Sequence, residues 1–369
     1  MELRFPLYFK LVVILLGLVL FVYVLTAAQT ILVLLAFSCL ISLLILPLNK
    51  LLERLRIPRA LAIILCLALL ATIMGLLGYF VYSQIVLLLK DLQNVVFRLN
   101  DVLEDHQQFF ERFFGLERGE TLTFIKEQLT LILQQGSSVL SATLSVTTGV
   151  VTFVGILPVF IFFMLYYRKF FRQFILMLFD ASSHREVNHT IRKVKKVAHS
   201  YLSGLITVIS IVSVLNVIGL MIVGVDFALF FGVFAGVLNI IPYIGVFIGS
   251  SLPVIYVFIT GGSLIKCFSA GLVLWLVQVL DNNVITPNVV GGRVSLNPFV
   301  SIVALLAGGF IWGPVGMILF IPYVAILKVI FDSIEPLHPY GFLLGEPPKK
   351  EGKGKLFGFL KKLNKNKKD

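Results

Sequence analysis

The sequence predicts an all-α polytopic membrane protein with about eight membrane segments, two of them broken or re-entrant. Three observations carry that reading. Apolar residues (AVILMFWYC) make up 58% of the 369 residues and charged residues only 14%, with a mean hydropathy of +0.99; a soluble domain carries about 25% charged residues. Several runs of about 18 residues or more hold no charge, the pattern that suits a bilayer's hydrocarbon core. Two further apolar stretches are longer and are interrupted at their centres by glycine and proline. This composition excludes a soluble enzyme, a secreted disulfide scaffold and a disordered chain.

The elements follow in order. Arg4 and Lys10 precede an apolar run from Leu11 to Leu25, and Thr26-Ala27-Ala28 resembles a signal-peptide cleavage site. Cleavage there would leave Gln29 just ahead of another membrane run, so a retained first helix is expected. Helices over about Tyr8–Ala28, Ile31–Pro47 and Ala60–Tyr82 form an N-terminal region, residues 1–82. Residues 83–147 are less apolar, and Leu92, Val96, Leu99 and Leu103 recur at helical spacing, which predicts extracytoplasmic amphipathic helices. A fourth helix, about Thr148–Tyr167, and a basic loop fill residues 148–200. Residues 201–332 hold a helix over Tyr201–Val223, the broken stretch Phe227–Thr260, an apolar helix over Leu264–Leu280 and the broken stretch Pro298–Ile330. A Lys-rich tail, 333–369, closes the chain; Leu356, Phe359, Leu360 and Leu363 share a helical face in it and read as an interfacial anchor.

Charge orients these segments. The net charge is +12. Lys50, Arg54, Arg56 and Arg59 follow the second helix, Arg168, Lys169, Arg192, Lys193, Lys195 and Lys196 follow the fourth, and the tail is rich in lysine, whereas 83–147 is net acidic. The positive-inside rule then places both termini and the basic loops in the cytoplasm and 83–147 outside. The positive surplus reflects topology and attraction to anionic lipid, so the bilayer, and not nucleic acid, is the expected partner. Cys39, Cys66 and Cys267 are odd in number and without CxxC spacing, and read as small apolar side chains; no cofactor or metal is expected.

The two long stretches invite two topologies. About 34 residues exceed one crossing of a ~30 Å core and fall short of two. The first is broken around Asn239, Pro242 and Gly245, the second around Gly308, Gly309, Gly313, Pro314 and Gly316. Re-entrant hairpins would make two inverted helix–hairpin units, a recurring plan of secondary transporters. Kinked crossings would return the tail to the same side, and the charges do not separate the two.

Polar residues at membrane depth are costly, about 2.5–3.5 kcal/mol for a central Asp, and so mark function. Gln278, Asp281, Asn282, Asn283, Thr286, Pro287 and Asn288 cluster at the end of the Leu264–Leu280 helix, with Gly291 and Gly292 beyond. Gln278, Asp281 and Asn282 fall on roughly one helical face, and Asn239 and Tyr243 sit at the first break. Asp281, Asn282, Asn283, Asn239, Gln278 and Asn288 are the candidate substrate or ion ligands. Amides donate and accept hydrogen bonds and their oxygens suit hard cations, so a small polar solute or a monovalent cation or proton fits. The bland alternatives are that Asp281 caps a helix, that Asn239 satisfies the backbone opened by Pro242, and that Asn216 is interhelical glue. No HExxH, GxSxG, Walker A or GxGxxG motif occurs, and an enzyme is not expected.

These residues also carry a resemblance. Gln278 through Pro287 reads QVLDNNVITP and is followed by Gly291-Gly292, Val294-Ser295-Leu296-Asn297-Pro298, Gly308-Gly309, Gly313-Pro314-Val315-Gly316-Met317 and Pro322. Together with Ile241-Pro242-Tyr243-Ile244-Gly245, this resembles the AI-2E family of bacterial multipass proteins over nearly the whole chain. The resemblance implies an inner-membrane secondary transporter. Some members are associated with export of the quorum-sensing molecule autoinducer-2, a small polyol-like signal, and others look like sodium(lithium)/proton antiporters. One departure is Asn297, where many relatives have His. The leading expectation is an exporter of a small polar molecule working by alternating access, with Asp281 as its coupling site. The alternatives are a Na⁺(Li⁺)/H⁺ antiporter and a non-transporting membrane scaffold. The long outer helices point to a homo-oligomer.

Overall fold

The computed structural model describes residues 6–97, 148–290 and 296–346. Leu99 and Leu103 of the outer segment, Gly291, Gly292 and the tail face around Leu356 to Leu363 lie outside the described residues. Helices α1 (Leu7–Ala27), α2 (Gln29–Arg54), α3 (Arg59–Phe97) and α4 (Thr148–Tyr166) come first. The short α5 (Arg168–Met177) precedes α6 (His184–Val223), α7 (Ala228–Leu238), α8 (Ile244–Ile259) and α9 (Leu264–Leu280). Then follow a widened turn over Asp281–Ile285, a single turn over Thr286–Val289, α10 (Pro298–Phe331) and α11 (His338–Leu344). Among the described residues the only extended pairing is an isolated bridge, Leu296 to Gly345. Six of these helical stretches are long and apolar enough to cross a bilayer. The fold is that of an all-α polytopic membrane protein.

Several helices outrun their apolar cores. Helix α3 continues from its apolar part to Phe97, and its residues Val81, Ile85 and Leu88 pack on the cluster of Leu220, Phe231, Tyr256 and Val257. Helix α6 starts at His184, so the basic stretch ahead of Tyr201 is helical and not a loop. Intrahelical hydrogen bonds do not stop where the hydrocarbon stops; only composition changes there. The tail begins as packed structure too. The Asn297 N–H donates to the Leu344 carbonyl at 2.9 Å, tying the segment after α10 to the residue before it.

Both broken stretches fold back as helical hairpins. In the first, α7 and α8 lie against each other, and a Cβ on Gly249 would come 2.8 Å from the Ala235 Cα. At about 1.5 Å per residue, α7 is about 16 Å and α8 about 24 Å long, so neither spans a ~30 Å core alone. Tyr243 turns the chain with φ 64° and ψ −60°, and the Ile244 N–H donates to the Pro242 carbonyl at 2.8 Å. That is a three-residue γ-turn of the strained, positive-φ kind. Gly245 closes it, because a Cβ there would fall on the Leu238 carbonyl. In the second, α10 breaks at Trp312 and Gly313, the latter at φ 63°. Pro314 starts the returning half, where its missing N–H costs nothing. Gly308 and Gly316 face each other backbone to backbone, and Gly309 lies under Met317.

Helix α6 is the shared wall. Its Ser213 and Val217 receive Gly236 and Gly232 of α7, while Leu220 packs near the base of that hairpin. Its N-terminal residues Arg185, His189 and Lys193 line a cavity with Ser333, at the base of α10, and Ala198 shares a cluster with Leu319. The two hairpins therefore approach α6 from opposite ends. Lipid supplies no hydrophobic drive between helices, so close approach through small residues carries this packing. The N-terminal helices form a second cluster, with Ile45, Leu46, Ile63, Cys66, Ile161 and Leu165. All three cysteines are free.

Gly245→Val should lower the melting temperature of the detergent-solubilised protein, at the roughly 1–3 kcal/mol typical of overpacking. Gly75→Ala, where a Cβ meets nothing within 4 Å, should stay within about 0.5 kcal/mol of the parent.

Candidate functional site

Asp281 is the centre of the site. It is only 3% exposed and begins the widened turn that follows α9. The cause lies six residues on. Pro287 has no N–H to give the carbonyl four residues back and its ring crowds that carbonyl, and the helix accommodates it with one turn of π geometry. One carboxylate oxygen, Oδ2, accepts from Asn239 Nδ2 at 2.8 Å. The other, Oδ1, accepts from Thr286 Oγ at 2.7 Å. Among the described residues no Lys or Arg comes within ion-pair distance of it.

The first hairpin delivers Asn239. It is the residue after α7, held in helical geometry by its N–H on the Ala235 carbonyl at 3.1 Å. The γ-turn at Tyr243 and the Gly245 contact fix the tip that presents it. Pro242 sits in that tip. Asn239 thus bonds a side chain 42 residues away.

The remaining sequence candidates are not brought to Asp281. Gln278 Nε2 donates to Asn282 Oδ1 at 3.1 Å, Asn283 Nδ2 to the Val279 carbonyl at 2.8 Å, and Asn288 Nδ2 to the Val284 carbonyl at 2.7 Å. Asn282, Asn283 and Asn288 are exposed, as is Pro287. Their amides close on their own helix, one turn back or on. Thr286 escapes a search by α-helical spacing, since residues five apart leave the face of an α-helix but share one in a π turn. The usable signal was Pro287 directly after it. Gly308, Gly309, Gly313, Pro314 and Gly316 build the second hairpin's tip, where Trp312 Nε1 donates to the Leu25 carbonyl of α1 at 2.9 Å. Asn297 caps α10, accepting from the Phe299 N–H at 3.0 Å.

Two further polar groups are buried on α6 and the first hairpin. Asn216 on α6 is 5% exposed, and its Oδ1 has no hydrogen-bond partner among the described residues. Tyr256, in the base of the first hairpin, donates to Asp91 Oδ2 of α3 at 2.6 Å.

The chemistry open to this arrangement follows. An ionised carboxylate has about four acceptor sites, and here neutral donors fill one on each oxygen. Neutral donors lessen but do not cancel a buried charge. A proton or a small hard cation would cancel it, and the carboxylate, Asn239 and Thr286 oxygens are the type such a cation takes.

Comparison with known proteins agrees with this architecture. A family model described as AI-2E family transporter matches residues 11–335. YueF of Bacillus subtilis (strain 168), named for transport, is 29% identical over 298 residues, 78% of this chain and 80% of its own. YrrI of the same strain, also named for transport, is 26% identical over 315 residues, 82% of this chain and 86% of its own. TqsA of Escherichia coli (strain K12), named an AI-2 transport protein, is 31% identical over 112 residues, 30% of this chain and 31% of its own. Matched from its first helix to the end of its second hairpin, the chain belongs to the AI-2E family of transporters.

Proposed function

We propose that the chain is a secondary transporter of the bacterial plasma membrane, with both termini in the cytoplasm, that exports a small polar molecule by alternating access. A proton or monovalent cation taken up at Asp281 drives it. The observation that supports this most is the buried Asp281 carboxylate held only by neutral donors, one of them on a re-entrant tip. Hydrogen bonds to a charged group contribute about 1.5–3 kcal/mol, so the ionised carboxylate grips Asn239 and the hairpin with it. Neutralising Asp281 weakens that grip and frees the tip to move. Ion occupancy and hairpin position are then two readings of one equilibrium. Helical hairpins entering from opposite ends of α6 match the inverted plan on which alternating access is commonly built. The name of TqsA supports a solute of the autoinducer-2 class. A second reading, Na⁺(Li⁺)/H⁺ exchange, draws on the oxygens around the same carboxylate.

Proteoliposomes test both readings, through autoinducer-2 efflux under an imposed pH gradient and lumenal pH after a Na⁺ pulse. The parent protein should show gradient-dependent efflux, and Asp281→Asn should lose that dependence. Unchanged transport and pH dependence in Asp281→Asn would remove the assignment. A Na⁺-driven pH change without efflux would select the antiporter.

Thr286→Ser should retain transport, because a hydroxyl remains to donate. Thr286→Val should slow it roughly 10- to 100-fold, the kinetic equivalent of one charge-assisted hydrogen bond, measured as the initial efflux rate.

A further inference from the structure

A second built site lies away from Asp281, where the ends of α2 and α4, the start of α3 and the whole of α5 meet. An open cavity of about 410 Å³ lies between them, lined by Arg59, Ala60, Tyr166, Tyr167, Lys169 and Phe170. That volume is in the range of small-molecule pockets, about 300–1,000 Å³.

The charge around it is one-sided. Glu53 accepts from Arg168 Nη2 and lies 4.0 Å from Arg59 Nε. Arg168 also donates to the fully buried Asn49, at 2.7 Å, and is thereby occupied. Arg59 is held less tightly, since its contact with Glu53 is the longer one. Its Nη2 holds the Leu165 carbonyl at 2.7 Å, its guanidinium lies 5.6 Å over the Tyr166 ring, and its buried Nε makes no hydrogen bond. Behind these, Lys195 feels the like charges of Lys50, Arg172 and Arg168. Lys169 is exposed at the rim. Glu53 pairs with Arg168 and Arg59, and Lys169, Lys195, Lys50 and Arg172 add positive charge to this region, a field that attracts an anion.

The apolar side says which anion. Helix α5 buries none of its residues, and Phe170, Phe171, Phe174 and Ile175 are exposed on it beside Arg168, Lys169 and Arg172. A short helix with this composition at the end of a membrane helix lies in the interface, apolar face toward the acyl chains. Tyr167 stacks on the exposed Phe163 at 5.9 Å, extending the cavity's lip toward the hydrocarbon. A soluble phosphate would not use that lip; a lipid would.

We propose that this cavity binds the phosphate head group of an anionic phospholipid, with Arg59 and Lys169 on the phosphate and Tyr166, Tyr167 and Phe170 against the glycerol and first acyl carbons. Basic pockets beside membrane helices recognise anionic head groups in this way. The site is independent of the transport reading.

Native mass spectrometry of the full chain tests it, with phosphatidylglycerol, phosphatidylcholine and soluble glycerol 3-phosphate as probes. The parent should retain phosphatidylglycerol over phosphatidylcholine. Lys169→Gln, an exposed change outside the packed core, should lower phosphatidylglycerol occupancy about fivefold, and Arg59→Gln should do the same where it folds. Lys193→Gln removes the same charge elsewhere and should leave occupancy unchanged. Three results would overturn the proposal: parental retention in Lys169→Gln, an equal loss in Lys193→Gln, or displacement of phosphatidylglycerol by an equal concentration of glycerol 3-phosphate.

Discussion

Within hydrocarbon no water waits to bond a freed N–H or C=O, and each such group left unpaired costs several kcal/mol. Everything distinctive here follows from that constraint. A chain that must turn inside a membrane has to keep the turn very short and its backbone groups paired. The first hairpin does so with a γ-turn at Tyr243, the second with two non-helical residues, Trp312 and Gly313. Glycines then let backbone touch backbone, so that little is left over at either tip. Helix α6 provides the wall against which α7 and the second hairpin pack.

The same constraint explains why a carboxylate can persist where Asp281 sits. A straight α-helix through Pro287 would leave Thr286 facing away from Asp281. The π turn brings the hydroxyl round, and the hairpin tip supplies the second donor. The proline that disturbs the helix is thus what completes the shell of the acid. A site assembled from two elements separated in sequence is sensitive to their relative position, whereas a site on one helix would not be.

The sequence exposes the parts of this fold that are written in composition. Apolar runs, their breakers and the family-like motifs identify the spans and both interrupted stretches, and they single out Asp281 and Asn239. Hairpin and kinked crossing stay undecided there, because charge is blind to the path between two ends on the same side. The contacts of Gly249 with Ala235 and of Gly308 with Gly316 decide it. The helical continuation of α3 past Tyr82 and the start of α6 at His184 are hidden because a helix does not end where its side chains turn polar. The amide cluster misleads for a different reason. Asn283 and Asn288 find acceptors in their own helix one turn back, a local choice that spacing on a helical wheel does not reveal.

The hydrogen bonds from Trp312 to the Leu25 carbonyl and from Tyr323 to the Ala36 carbonyl each join residues 287 positions apart. Leu25 lies in the last turn of α1, where carbonyls run out of donors within the helix. Two helices are therefore finished by residues that the ribosome adds 287 positions later. Contacts of that sequence separation form late and slow the final closure of a fold. Helix α2 already has α3 and α4 to pack against, and it is the arrival of the second hairpin that ties α1 and the far face of α2 to the rest.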